Sequence, residues 1–551
     1  MSSSLSTILS ILFLLILAGT VIVILTDEKS SSQKLVWILL IAALPVVGLL
    51  LYILLGIDFR RPGYVQRNHK KFFEVLRESE QPYLTEFAGR GDDGSPEIDP
   101  HYRPLASLLR KGFASPVSEA ADLKIFTCGQ EKFDSLMADI RAARRYVHIE
   151  YFYFRKGRMG SALRELLMRK AREGVKVRFI RENIANFDIN PSYYNDMKKA
   201  GVEVVKFTPT FSNLLGLASK LNYRDHRKIV VIDGEIAYTG GMNISDDYCN
   251  GWRDTHLRFT GEAVASLQMY FLDAFITSGG KVEDDFDHLF PSVAASRAAS
   301  GQSCSDSSSV TPVPSGPLAG PTFDPSTAAP TAATDFIIPS SPDASFADIS
   351  AAAGPDTHPE TESAPEILHG IPVQLVPGDP DTPWPFLTLG LVWILNHAEK
   401  YVWLQSPYFM PPESLLDAIK SAALRGVDVR VMIPAKADIS LLTPINRSYY
   451  PELLRAGVRV FRNDGPFIHS KTFVADDYVS MVGSCNLDYR SLELSYEMNT
   501  YMYGAEAASA SCRFFENDME LCTEIFLEDV QGKHPLRHLW DSVIRLLAPL
   551  L

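Results

Sequence analysis

The pattern His-x-Lys-(x)4-Asp occurs twice in this chain, at His226, Lys228, Asp233 and again at His469, Lys471, Asp476. Further residues repeat with it. Gly240 and Gly483 each stand 14 residues after their histidine, Asn243 and Asn486 each 17, and the carboxylates Asp254 and Glu497 each 28. Chance does not reproduce so many positions at fixed spacing. One structural unit therefore occurs twice, and the fold has to bring two histidines and two lysines to a shared place.

The segments upstream repeat in the same order. Leu123–Cys128 reads as a strand, followed by a helical stretch to Ala143 and the apolar run Tyr146–Phe154. Pro372–Val376, a helical stretch to Ala398 and Tyr401–Phe409 answer them. Arg172–Ile180 corresponds to Arg425–Ile433, and Met197–Phe207 to Leu453–Asn463. The Ala-Gly pair in each of the latter reads as a helix C-cap leading into a strand. Strands alternating with helices predict an α/β unit with a largely parallel sheet. The register breaks once. Gly201 to His226 is 25 residues but Gly457 to His469 is 12, so the first copy holds 13 extra residues within Thr210–Arg224. Phe211, Leu214, Leu215, Leu217 and Leu221 suit either a loop packed on itself or a flap touching acyl chains near a site entrance.

Two stretches depart from ordinary globular composition. Leu5–Thr26 and Leu35–Ile57 carry no charge, and each is long enough to span a bilayer. A cleaved signal peptide is disfavoured, because no positive segment precedes the first run and a second follows at once. Arg60, Arg61, Arg67, Lys70 and Lys71 follow the second run. By the positive-inside bias they place the rest of the chain in the cytoplasm, against anionic head groups. The other unusual stretch, rich in Ser, Ala and Pro, has nine carboxylates between Val293 and Glu366 against Arg297 alone. It cannot bury enough apolar surface to offset its ordering entropy and reads as a disordered linker. It also accounts for eight of the net thirteen negative charges. Six cysteines without paired or metal-ligand spacing fit a reducing compartment. The predicted organisation is a transmembrane hairpin over 1–58, a juxtamembrane segment over 59–110, a first lobe over 111–290, the linker over 291–366, a second lobe over 367–530 and a C-terminal amphipathic helix over 531–551. In that helix Leu539, Val543, Leu546 and Leu547 share a face, which suits either closure of the second lobe or a place on the bilayer.

In a strand, residues i and i+2 face the same way, so His226 projects with Lys228 and His469 with Lys471. Two imidazoles and two ammonium groups at one seam suit a phosphodiester. The cations stabilise the phosphoryl oxygens, while one histidine attacks phosphorus and the other moves the proton of the alcohol. Asn243 and Asn486 add neutral donors, and Gly240 and the Gly483-Ser484 pair let backbone approach closely. Each histidine needs a carboxylate on its far nitrogen to fix the tautomer, and Asp254 and Glu497 are the candidates. Asp233 and Asp476 belong to the motif but, five residues beyond lysine, are expected to brace the strand and its turn. No carboxylate cluster accompanies the histidines, so no metal and no cofactor is predicted. The acidic balance argues against nucleic acid as substrate.

At these residues the chain resembles the phospholipase D superfamily, and within it membrane-anchored bacterial cardiolipin synthases. The likeness runs through Asn222–Tyr248, Trp252–Val264, Ser406–Pro434 and Phe467–Asn499, besides the two apolar runs. The resemblance implies two pseudo-symmetric α/β lobes sharing one active site, behind a two-helix transmembrane hairpin. It implies a metal-free reaction through a phosphatidylhistidine, taking two phosphatidylglycerol molecules to cardiolipin and glycerol. It favours His226 as nucleophile and His469 as acid/base, although the symmetry of the copies leaves the order open. A hydrolytic phospholipase D, or a transferase using another alcohol, has the same chemistry until the acceptor arrives. The implied partners are phosphatidylglycerol and other membrane phospholipids, in a multi-pass protein of the cell membrane, with room for a homo-oligomer. Two features depart from the family pattern: the long linker between the lobes, and Pro412 where a polar or acidic residue is expected.

Overall fold

Asp233 and Gly234 take φ of 54° and 68°, and Asp476 and Asp477 take 52° and 58°. Two successive left-handed residues make the tight turn whose twist matches a hairpin. The strand following each His-x-Lys motif therefore folds back antiparallel on the next, and this decides the sheet. The first lobe contributes β1 (Ser118–Phe126), β2 (Tyr146–Tyr151), β3 (Lys176–Arg181), β4 (Glu203–Lys206), β5 (Lys228–Ile232), β6 (Ile236–Gly240), β7 (Trp252–Arg253) and β8 (His256–Thr260). The second contributes β9 (Ile367–Gly378), β10 (Tyr401–Gln405), β11 (Phe409–Met410), β12 (Asp428–Pro434), β13 (Arg459–Asn463), β14 (Phe467–Ile468), β15 (Thr472–Ala475), β16 (Val479–Gly483), β17 (Leu487–Asp488), β18 (Glu497–Tyr503) and β19 (Cys522–Ile525). A computed structural model describes residues 2–27, 31–56, 96–284, 286–291, 366–546 and 548, apart from breaks at 114, 183, 187–188, 208–222, 381, 383 and 531–534. The basic cluster after the second apolar run, the apolar residues of the 13-residue insertion and the acidic linker lie outside the described residues.

Fifteen strands form one sheet in the order β4-β3-β2-β5-β6-β8-β1-β9-β18-β16-β15-β10-β12-β13-β19. The halves mirror each other about the β1–β9 pair, with β19 as an extra edge strand. The expected largely parallel sheet is not what forms. Parallel pairing is confined to β2–β3–β4 and β10–β12–β13, and the other pairs of this sheet are antiparallel. The Asp-Gly and Asp-Asp turns are the physical reason, since a hairpin cannot join parallel neighbours.

At the N-terminus α1 (Ser2–Thr26) carries no charged residue. The second apolar run is not one continuous helix. α2 (Ser31–Ala43) stops before α3 (Pro45–Leu51), and a π-helical turn over Tyr52–Gly56 follows. Proline lacks the N–H and its ring clashes with the carbonyl four residues back, and Leu44 leaves helical space at φ −133° and ψ 74°. Among residues with described side chains no helix is long and apolar enough to cross a membrane. Ile24, Trp37, Ile41 and Tyr52 form a small core, with the Trp37 and Tyr52 rings 5.3 Å apart edge-on. Leu14, Leu15, Ile22, Leu39 and Val46 are among the apolar side chains left exposed.

The next helix, α4 (Arg103–Phe113), precedes the first lobe but packs into the second. Leu105 and Leu109 share one core with Leu387, Leu391 and Leu395. In the first lobe, α5 (Gly129–Ala142) leads into β2, α6 (Arg158–Arg172) and α7 (Pro191–Lys199) make the crossovers that parallel strands need, and α8 (Ala263–Thr277) follows β8. In the second lobe, α9 (Phe386–His397), α10 (Glu413–Leu424), α11 (Leu442–Ser448), α12 (Tyr450–Arg455) and α13 (Ala505–Met519) take corresponding places. The C-terminal helix α14 (Pro535–Arg545) docks by Asp541, which accepts two hydrogen bonds from Arg447 at 2.7 and 2.6 Å, and by the buried Ile544. Its Leu539, Trp540 and Val543, and Leu546 just beyond its end, face outward, about half exposed or more. Of the two places the sequence leaves open for this apolar face, closure of the second lobe is not the one it takes, since the face is turned away from the lobe.

Candidate active site

Each motif histidine ends a short segment that runs parallel to a segment of the other lobe. The Tyr496 N–H donates to the Arg224 carbonyl and the His226 N–H to the Tyr496 carbonyl, both at 2.8 Å. In the same way β14 lies parallel to β7, and the His469 N–H donates to the Arg253 carbonyl at 2.7 Å. The segments that end in Asp254 and Glu497 are these partners. The pairing is therefore crossed. His226 Nδ1 lies 2.9 Å from Glu497 Oε1, and His469 Nδ1 lies 2.7 Å from Asp254 Oδ2. Neither lobe holds both halves of a histidine–carboxylate pair.

The lysines sit in the same seam, nearly inaccessible to solvent. Lys471 Nζ is 2.7 Å from His469 Nδ1 and 3.7 Å from Asp254 Oδ2, and it donates to the His469 carbonyl. Lys228 Nζ donates to the His226 carbonyl. With the His469 proton assigned to Nδ1, Asp254 accepts it and Nε2 faces the seam as a lone pair.

Burial dominates the electrostatics, yet the two carboxylates come out differently. Burial pushes Asp254 up, but Lys471 and the His469 contact together hold it below its ordinary value. Glu497 is pushed up to about 8 by burial, against the pull of Lys228. Near neutral pH Asp254 is an anion and Glu497 is largely a neutral acid. Burial and Lys471 bring His469 down to about 4, with Asp254 opposing, while burial, Lys228 and Arg224 hold His226 well below its usual value. Burial also lowers Lys228, and lowers Lys471 to about 8.

The glycines are steric requirements. At Gly241 a Cβ would run into the Asp254 carboxylate, and at Gly483 into the Asn499 amide. Gly240, at φ 143°, would place a Cβ 2.7 Å from the His256 Cα. Ser484 Oγ donates to Glu497 Oε2 and accepts the Met498 N–H at 2.9 Å. Asn243 donates to the Tyr248 hydroxyl at 3.1 Å and accepts the Tyr153 N–H at 3.2 Å. Asn486 donates to Ser491 Oγ at 3.3 Å, and its buried Oδ1 has no hydrogen-bond partner among the described residues.

Asp233 and Asp476 are not brought to the histidines. The Asp233 carboxylate accepts the N–H groups of Arg144, Arg145 and Tyr146 at 2.8, 2.7 and 2.9 Å. Asp476 accepts those of Glu399, Lys400 and Tyr401 at 2.7, 2.8 and 3.0 Å. Five residues of strand put each about 17 Å from its lysine. They tie the helix-to-strand turn before β2 and β10 to the hairpin.

Sequence reading passes over the aromatic lining. The Phe152 ring centroid is 4.2 Å from that of His226, and Trp252 is 5.1 Å from His469. The Tyr248 hydroxyl is 3.5 Å from His469 Nδ1, and the Tyr408 hydroxyl donates to Asp438 at 2.7 Å. The signal for Phe152 and Tyr408 is the matched pair of runs at the ends of β2 and β10, Tyr151–Phe154 and Ser406–Phe409. Among the described residues no group of three or more His, Cys, Asp or Glu could hold a metal ion.

Comparison with known proteins follows the same lines. Residues 136–273 and 391–519 match the family described as cardiolipin synthase, PLD-like domain, and residues 10–56 match the phospholipase D-nuclease N-terminal family. The cardiolipin synthase of Geobacillus kaustophilus is 30% identical over 94% of this chain and 89% of its own length. Cardiolipin synthase 2 of Bacillus anthracis is 30% identical over 94% of this chain and 87% of its own. Among solved structures, the phosphatidylserine synthase of Haemophilus influenzae Rd KW20 superposes with a TM-score of 0.53 at 13% identity, covering 82% of this chain and all of that one. At that identity the likeness speaks for the fold.

Proposed function

The chain belongs to the cardiolipin synthase family of phospholipase D-like proteins, and on that premise we propose that it is a phosphatidyltransferase joining two phosphatidylglycerol molecules into cardiolipin with release of glycerol. The observation that carries the chemistry is the crossed pairing of two histidines with two carboxylates, beside two buried lysines, at one seam.

His226 is assigned the attack on phosphorus. Its Nε2–P bond forms as the bond to the glycerol oxygen breaks, giving a phosphatidylhistidine. His469 takes up a proton on Nε2 as the anionic phosphodiester enters the seam and gives that proton to the departing glycerol. It then takes a proton from the head-group hydroxyl of a second phosphatidylglycerol, which displaces His226 from phosphorus. Lys228 and Lys471 stabilise the charge on the non-bridging oxygens. An empty seam with two ammonium groups disfavours a cationic imidazole, and the incoming anionic phosphodiester relieves this. Asp254 holds His469 in one tautomer and stabilises its cation. Glu497 does the corresponding work for His226, with a weaker charge.

The lipid substrates call for a place at a bilayer. The uncharged α1 and the exposed apolar side chains of α2 and α3 support a hairpin anchor, and the arginines and lysines after it support a cytoplasmic site. The outward Leu539, Trp540 and Val543 of α14, with Leu546 just after it, suit a helix lying on the membrane.

The test is the purified protein in vesicles of phosphatidylglycerol alone, with products separated by chromatography. Cardiolipin and stoichiometric glycerol are expected. Phosphatidic acid in place of cardiolipin, with glycerol still released, would make water the acceptor and the protein a hydrolase.

A further inference from the structure

Behind the first lobe's half of the seam lies a polar cluster that this chemistry leaves idle. Lys132, on α5, is fully buried, and its ammonium donates to the Tyr151 hydroxyl at 2.9 Å. The rings of Phe133 and Tyr151 lie 4.4 and 5.0 Å from it. Among the described residues it forms no ion pair; the acidic groups facing it are Cys249 and Asp254, from the segment after β6. His256, on β8, is also fully buried, and neither ring nitrogen has a hydrogen-bond partner among the described residues. The cations facing His256 are Lys132 and Lys228. Tyr151 is the cross-strand neighbour of Lys228, and His256 that of Gly240. The cluster thus stands one side chain behind the seam.

The second lobe shows that the fold does not need it. With Tyr146 answering to Tyr401 and Asp254 to Glu497, the places of Lys132, Tyr151 and His256 are taken by Leu387, Ser406 and Asn499. Leu387 is an ordinary core residue. An ammonium buried without a counter-ion is costly and tends to give up its proton. Burial holds Lys132 down to about 7. His256 is held well below its usual value by burial and the two ammonium groups, so it does not compete for a proton.

We propose that Lys132 is a positioning residue of the first lobe that takes up a proton from water when an anionic phosphodiester enters the seam, and through Tyr151 steadies Lys228 against the phosphoryl oxygens. The inference rests on reading the seam as a phosphodiester site. It adds a charge that appears when the substrate does, in one lobe only.

The test uses the full-length protein in detergent micelles with tungstate, a dianion that does not itself titrate between pH 7 and 9. Calorimetry at pH 7.5 in two buffers of different ionisation enthalpy counts protons taken up per anion bound. Wild type should take up about half a proton more than Lys132→Met, the remainder coming from the histidines and lysines of the seam, which both proteins share. Wild-type affinity should fall from pH 7 to pH 9 by roughly fivefold more than that of the variant. Lys132→Arg should keep the low-pH affinity while losing the extra uptake. Equal uptake and equal pH dependence in wild type and Lys132→Met would overturn the proposal. So would zero uptake by wild type, which needs no variant to fold. A wild type that binds no tungstate and makes no cardiolipin would overturn the phosphodiester reading, and this inference with it.

Discussion

His469 of the second lobe is oriented by Asp254 of the first, 2.7 Å away, while its counterpart His226 faces Glu497 at 2.9 Å. The two pairs are related by the internal repeat but differ in charge. Asp254 is held in its ionised form by Lys471 and His469, and Glu497 is pushed toward its neutral form by burial.

That difference predicts unequal consequences of isosteric substitution. Asp254→Asn removes an anion and presents the wrong tautomer to His469, so turnover should fall by roughly 10³–10⁴-fold. Glu497→Gln resembles the neutral acid already present and should lose no more than about tenfold. Turnover of both variants, with melting curves to show retained fold, checks the ordering. Equal losses would mean that the two carboxylates carry the same charge.

The motif aspartates should behave as structural groups. Asp233→Ala leaves three backbone N–H groups without their acceptor and should destabilise the protein by roughly 1–3 kcal/mol. The folded fraction should keep a near-normal turnover number, and Asp476→Ala should do the same. A large fall in turnover at unchanged melting temperature would return these residues to the chemistry.

Stability should decline on both sides of neutrality. His469 is depressed from 6.5 to about 4, so its contribution is present above pH 6.5 and is lost as pH falls toward 4. Glu497 is raised from 4.5 to about 8, so its contribution is present below pH 4.5 and is lost as pH rises through 8. Melting temperatures of wild type and Glu497→Gln from pH 5 to 9 test the assignment. The variant should lose much of the alkaline decline and keep the acid one.

The outward face of α14 predicts a defect that depends on the substrate's physical state. Trp540→Ser with Leu539→Ser should lower activity on phosphatidylglycerol vesicles at least several-fold, and spare activity on short-chain lipid dissolved as monomers. Similar losses on both substrates would point to damage in the second lobe.

Much of this was legible in the sequence, and the remainder has physical reasons. Repeat spacing located the histidines, the lysines and the two carboxylates, because a duplicated unit keeps its internal distances. It could not show that the carboxylates are exchanged between copies, since spacing within a copy says nothing about contacts between copies. The antiparallel sheet was announced by Asp233-Gly234, a strong hairpin signal that the alternation of strands and helices masked. Leu539, Val543 and Leu546 were correctly placed on one face, but periodicity alone does not say whether such a face meets protein or solvent. The break at Pro45 followed from proline's missing N–H, although an apolar run on its own reads as a single span.

The strand pair β1–β9, with Leu105 and Leu109 seated in the core of the second lobe, has a bearing on how the halves are held together. The backbone between residues 291 and 366 is not what joins them. A chain cut there should leave two fragments that migrate as one particle and keep a complete catalytic seam, coming apart only when the sheet itself is melted. The duplicated halves have become subunits of one another. A substitution harmful to either copy cannot be masked by the intact twin beside it, because each twin borrows the other's carboxylate.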